Sequence, residues 1–299
     1  MSRRNSGTAG EDKGSSGFGK IIAAGFLVAV VVVAAALFIV NRKSGDGDAG
    51  GGSAAGESSW NAGGEAMDSR SVADRFDWAD RKADINGQMV YKPEPRVGKI
   101  LSETTRSYPS PTGVEASTAR PEGVVFETID MERLYPIPFS MSDGPTGFEG
   151  NVPVGYTRSA AGAALAAGAY NVATIQMTPD PQKLKSIVAN PSPADIDAFQ
   201  QLKEDRESDS DNRKADADEA FRRGYIVSPA GYKITAYDGS YAQVMICDVT
   251  SPEMDPEGKS IRISSVDLIW TEQGWKVKMY TPKNTTRDSL PEGLISWMH

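Results

Sequence analysis

Histidine and cysteine are nearly missing from this chain: His299, the last residue, is the only histidine, and Cys247 is the only cysteine. A single cysteine forms no disulfide within the chain, so stability has to come from a packed core. Without an imidazole, Cys247 and the serines lack the usual base of nucleophilic catalysis, and a histidine-containing metal site is equally poorly supplied. Cys247 follows Met245 and Ile246, which is the setting of a small buried core residue. Positive charge is also scarce, with 32 Lys and Arg against 40 Asp and Glu and a net charge of −8. The first 20 residues hold Arg3, Arg4, Lys13 and Lys20 against Glu11 and Asp12, a surplus of +2, which leaves −10 for the residues after Val40. That balance argues against nucleic acid or anionic lipid as the main ligand of the C-terminal part, because phosphate recognition needs clustered Lys and Arg.

One stretch lacks charge altogether. Ile21–Val40 is built from Ile, Ala, Gly, Phe, Leu and Val, and at ~1.5 Å per residue a helix of this length crosses the roughly 30 Å core of a bilayer. A cleaved secretory signal has a shorter apolar core, about 7–15 residues, that ends at small residues. Here Leu37-Phe38-Ile39-Val40 follows Ala34-Ala35-Ala36, and no cysteine lies just downstream to take a lipid. Arg3-Arg4 does not open a twin-arginine signal, because Asn5-Ser6-Gly7 stands where apolar residues belong. The expectation is an uncleaved single-pass anchor in the cell membrane. Four basic residues precede it and only Arg42 and Lys43 follow closely, so residues 1–20 are expected to be cytoplasmic and the C-terminal bulk extracytoplasmic.

Residues 41–75 read as a flexible Gly/Ser linker, carried mainly by the composition of Ser44–Arg70. Phe76–Lys82 is expected to form a short helix anchored by Phe76 and Trp78. Residues 76–150 read as an extended strap, poor in helix formers and rich in Pro and Gly from Asn86 to Ser140, with short extended pieces at Met89–Tyr91 and Val124–Ile129. Tyr135-Pro136-Ile137-Pro138-Phe139 looks like a point where the strap docks. Residues 151–299 read as the outer domain. An Ala- and Gly-rich helix runs from about Arg158 to Met177, with Thr157 as its cap. Its apolar run is too short for a second membrane span and is interrupted by Asn171, Thr174 and Gln176, which favours a buried soluble helix. Ser192-Pro193-Ala194-Asp195 opens a second helix, 208–212 breaks it, and Arg213–Arg223 resumes. From Tyr225 the pattern alternates: a strand at Tyr232–Ala236, the hairpin signal Asp238-Gly239, then strands at Tyr241–Val249, Ser260–Trp270 and Trp275–Tyr280. The expected fold is α+β, with helices on one face of a curved antiparallel four-stranded sheet and a cone-shaped hollow between them.

Few motifs carry chemistry. Gly14–Lys20 nearly spells a phosphate-binding loop, but Ile21 stands where the Mg²⁺-binding hydroxyl belongs, and a juxtamembrane lysine is the better reading. Asp46 with Asp48, and Asp209 with Asp211, lack the glycine and glutamate of a calcium loop. Asp248 and Asp267 fall on adjacent expected strands and remain the one catalytic candidate, as a proton-abstracting carboxylate of an isomerase or hydrolase. Trp270, Trp275 and Trp297 suit a core or an interface better than a cofactor. No catalytic, cofactor-binding or metal-ligating residue is assigned, and no cofactor is expected.

The order of tail, single span, linker, helices and a meander ending in Trp270-Thr271-Glu272-Gln273-Gly274-Trp275-Lys276-Val277 resembles bitopic membrane proteins whose outer domain has the nuclear-transport-factor-type fold. Assembly factors of type IV secretion, conjugation-channel proteins of Gram-positive bacteria and mycobacterial proteins associated with lipid-import complexes share that layout. Gly144-Pro145 and the stretch Gly155–Ala167 resemble an uncharacterised actinobacterial family associated with mobile elements. The resemblance implies a domain that binds other envelope or secretion-complex proteins, and copies of itself as a homo-oligomer, without a catalytic set. It points to a non-enzymatic membrane scaffold. The alternative is a tethered domain that binds lipid or another apolar molecule in a hollow lined by Leu165, Val244 and Trp270.

Overall fold

The structure, a computed structural model, describes residues 72–102, 116–129, 135–175, 180–207, 210–224, 226–250, 261–278 and 283–297. The expected tail, the span at 21–40, the linker as far as residue 71, Asp209 and His299 lie outside the described residues, while Asp211 stands in the last of the helices. By internal contacts the chain divides into two units, and the second, Ser58–His299, contains every described residue.

Two sheets share one core. The small sheet runs β1 (Asp80–Ala83), β2 (Met89–Lys92), β3 (Val124–Glu127) and β4 (Ile137–Ser140), with β2 and β3 parallel and the other pairs antiparallel. A separate hairpin joins β5 (Gly147–Glu149) to β6 (Val152–Val154). Helix α1 (Ala160–Ile175) follows, then α2 (Pro181–Ile187), α3 (Pro193–Glu207) and α4 (Ser210–Arg222). The large sheet is antiparallel and built on β7 (Ser228–Tyr237), β8 (Tyr241–Val249) and β9 (Ile261–Thr271). Its strand β9 takes β10 (Gly274–Val277) along one half of its free edge and β11 (Lys283–Arg287) along the other, while β12 (Ile295–Ser296) pairs with β7.

This arrangement corrects the expected architecture. The fold is α+β, but the meander belongs to a six-stranded sheet, and a second, four-stranded sheet is made from residues read as a strap. The nuclear-transport-factor-type cone, with helices on a single four-stranded sheet, is therefore not the observed fold. The physical reason lies in the short apolar runs at Val90–Tyr91 and Val124–Phe126, which are buried and pair with each other across an intervening segment. Pro138 is compatible with β4 because β4 is an edge strand, where a missing N–H breaks no ladder. The short helix expected at Phe76–Lys82 is replaced by β1. Asp84 turns that chain, its Oδ1 accepting from the N–H groups of Asn86 and Gln88 at 2.9 Å each. Phe76 and Trp78 pack against the core as expected of anchors.

Helix α1 touches both sheets, reaching β4 on one side and β7, β8, β9 and β10 on the other. Its small side chains make this possible: Gly168 lies so near Pro138 that an added Cβ would be 3.3 Å from the ring. Among the described residues no helix is long and apolar enough to cross a membrane. The cap of α1 is Ser159, whose Oγ accepts the N–H of Gly162 at 2.8 Å, rather than Thr157. Ser192 and Asp195 cap α3 reciprocally, as their spacing predicts. Asp238-Gly239 makes the β7–β8 turn, with Gly239 at φ 85°. Trp297 joins the sheets from the chain's end, its ring 4.3 Å from Tyr232 and 6.5 Å from Phe126.

Candidate functional site

Two turns and a short helix meet around a groove at one end of the body. The β5–β6 turn supplies Glu149, Gly150 and Asn151, helix α2 and its cap supply Asp180, Gln182, Lys183, Lys185 and Ser186, and the β9–β10 turn supplies Gln273. The volume is about 480 Å³. Local sequence explains each wall. Gly150 permits the tight hairpin at φ 62°, Asp180 caps α2 by accepting the Gln182 N–H at 2.8 Å, and Gly274 at φ 99° turns β9 into β10. The end of α2 is tied to β10 by the Ala189 N–H, which donates to the Val277 carbonyl at 3.0 Å.

Beneath the groove sits Lys276 of β10, its side chain only 3% exposed. Its ammonium donates to the Ser186 carbonyl at 2.5 Å and stands 3.8 Å from Glu149 Oε2, so both of its neighbours line the groove. Burial lowers the Lys276 pKa, against the opposing pull of Glu149. The walls therefore present ammonium, carboxylate, amide and backbone groups, and their chemistry is hydrogen bonding and ion pairing. Among the described residues no group of three or more His, Cys, Asp or Glu is placed to hold a metal ion.

The two catalytic candidates are not brought together. In β8 the residues Ala242, Val244, Ile246 and Asp248 share one face, and all are buried. Register places Asp248 opposite Arg262, but Asp267 opposite Gln243, on the other face of the sheet. Asp248 accepts from the Arg262 guanidinium at 2.8 Å, and Arg262 in turn lies 4.4 Å over the Tyr135 ring. Asp267 accepts from the Tyr241 hydroxyl at 2.8 Å and the Gln243 amide at 3.0 Å. Neither carboxylate lines the groove. Cys247 is fully buried with Ile261 and Ile263, and burial first, then the neighbouring Asp248, pushes its thiol up to about 12. Leu165 and Val244 are buried in the main core and Trp270 packs at its margin, and none of the three lines the groove.

Sequence reasoning missed Asp143. It is buried and accepts from Ser142 Oγ at 2.5 Å, Thr157 Oγ1 at 2.6 Å and Ser159 Oγ at 2.7 Å, which ties β4 to the start of α1. The hydroxyl-rich pairs Ser140/Ser142 and Thr157/Ser159, flanking an acid just ahead of an apolar helix, were the available signal. Lys276 gave none: a lysine in an alternating strand reads as solvent-facing, and only the docking of α2 over β10 buries it.

No curated protein and no solved structure matches the chain. One family model does, across residues 91–293, from β2 through the helices to the last turn before β12. The chain belongs to that family, described as a domain of unknown function, DUF8175.

Proposed function

We propose that this protein is a membrane-anchored, non-catalytic binding protein, a scaffold or assembly component of an envelope complex of the conjugative or type IV secretion kind. The anchor in this reading is the uncharged run Ile21–Val40, with residues 1–20 cytoplasmic and the two-sheet body outside the membrane. The partner is another protein of the same envelope assembly. The observation that carries the reading is the polarity of the groove. Glu149, Asn151, Gln182, Lys183, Lys185 and Gln273 offer both charge signs and several amides, which pair with the carbonyls, N–H groups and charged side chains of a polypeptide. A lipid tail needs apolar walls instead, and Leu165 and Val244, which would have supplied them, are core residues.

Site-directed photo-crosslinking in cells tests this. One probe replaces Gln273 at the groove, and a control replaces the exposed Thr285 on β11, at the other end of β9. The expected result is a defined membrane-complex subunit captured from position 273 and not from 285, with capture weakened by Lys183→Glu. Capture of lipid alone, or of the same proteins from both positions, would overturn the reading.

A further inference from the structure

Glu127 closes β3 with no solvent exposure. An ionised carboxylate is tolerated in such a place only with a cation or several donors. Among the described residues a single donor is present: the backbone N–H of Lys99 reaches Oε2 at 2.8 Å. Oε1 is buried without a hydrogen-bond partner, and so is the hydroxyl of Tyr156. The Lys99 ammonium is turned elsewhere, 3.5 Å from the Glu94 carbonyl oxygen and 5.7 Å over the Trp78 ring. Burial holds the Glu127 carboxyl well above the usual range, outweighing the Lys99 N–H and charge. Among the described residues Tyr91 stands opposite it in register, and two phenols with raised pKa values lie nearby: Tyr156, raised by burial, Tyr170 and Glu127 itself, and Tyr170 of α1, raised by burial and then by Glu149 of β5. Both phenols are neutral across the range in which a carboxyl titrates, so Glu127 is the first of the three to ionise.

Lys99 belongs to the segment 93–100 that follows β2, and this segment lies directly on apolar side chains. A Cβ added at Gly98 would stand 2.8 Å from the Phe148 ring, 3.1 Å from Ile129 and 3.2 Å from the Phe139 ring. The Lys99 N–H is thus the polar tie that fastens this segment to β3. We propose that Glu127 is a proton-operated latch: segment 93–100 stays closed over the neutral carboxylic acid, and release of its proton to solvent turns the side chain outward and opens the segment.

Closed, Glu127 keeps its proton; open to water, it titrates as an ordinary carboxyl. Closure is therefore fully favoured below the ordinary carboxyl range and weakens as pH rises toward the raised value. One proton leaves per opening event, so the open fraction grows about tenfold per pH unit within that window. The test is hydrogen exchange on the full chain as a function of pH, read at 93–100 and corrected for intrinsic exchange. In the wild type, protection is expected to fall along that slope. In Glu127→Gln, which keeps the shape and cannot ionise, protection should stay high and independent of pH. The same slope in both proteins, or no slope in the wild type, would overturn the latch. A second readout does not depend on the variant folding. The infrared carbonyl band of a protonated carboxylic acid should persist in the wild type above the ordinary carboxyl range and fade as pH rises further, and a spectrum without it there would also overturn the proposal.

Discussion

The large and small sheets each bury an acidic side chain in the same core, but the company differs. Asp248 on β8 meets the Arg262 guanidinium at 2.8 Å, with the Tyr135 ring closing over the cation. Glu127 on β3 meets one backbone N–H and keeps an oxygen without a partner. A buried charge can be answered by a partner or removed by protonation: Asp248 has the first solution, and the latch proposed above gives Glu127 the second. The large sheet is the insensitive half by this argument, since a guanidinium stays charged at any working pH. In the small sheet no such cation among the described residues answers Glu127, and the proposed latch places its pH response there.

Removing one partner of the matched pair should give the largest effect. Asp248→Ala leaves Arg262 charged and buried, its side chain 15% exposed, and should cost about 3–5 kcal/mol in urea unfolding. The sharper experiment is the double change Asp248→Leu with Arg262→Met. If the pair serves mainly to neutralise itself, the double variant should recover most of that loss, because a well-packed apolar replacement is often neutral or better. A double variant as unstable as the single one would show that Tyr135 over Arg262 supplies packing that Met does not replace.

The large sheet was also the legible half. Alternation through Tyr232–Ala236, the Asp-Gly turn and the apolar stretch after it gave β8 the bounds Tyr241–Val249 that the structure has. The period of two along β8 and β9 puts Asp248 and Asp267 on opposite faces, but that becomes visible only once register is known, since a slip of one residue would bring them to one face. The small sheet was hidden because its central pairing, β2 with β3, is parallel and non-local: Val90 stands opposite Phe126. Local pattern cannot report a partner so far along the chain, and the prolines nearby suggested a strap. The groove was hidden for a related reason. It lies where two turns and helix α2, distant in sequence, meet, and the buried Lys276 at its base looks like any exposed strand lysine until its neighbours are placed.

A smaller effect tests how β12 closes the large sheet. Gly231 on β7 faces Ser296, and an added Cβ would stand 2.2 Å from the Ile295 carbonyl oxygen. Backbone cannot yield as a side-chain tip does, so Gly231→Ala should detach β12 at about 1–3 kcal/mol, the usual cost of overpacking. Hydrogen exchange at 294–297 should rise well before exchange in β8. If β12 stays protected, the strand is held by Trp297 between Tyr232 and Phe126 rather than by its ladder.

The smallest effect belongs to the third carboxylate, and it sharpens the contrast between buried and exposed acids. Asp267 faces outward and accepts two side-chain hydrogen bonds, both of which Asn can still accept in part. Asp267→Asn should therefore change stability by less than about 1 kcal/mol. Its signature is electrostatic. The Tyr241 phenol is raised first by burial, then by its hydrogen bond to Asp267 and by the charges of Asp267 and Asp238. Removing the Asp267 charge withdraws a contribution that favours the protonated phenol, so the Tyr241 pKa should fall toward its ordinary value without reaching it, since burial and Asp238 remain. Ultraviolet titration of the wild type and the variant, with Tyr241→Phe to assign the transition, measures the difference. An unchanged transition would mean that burial alone sets the phenol, and that an acid on this face of the sheet is screened by water even at hydrogen-bonding distance.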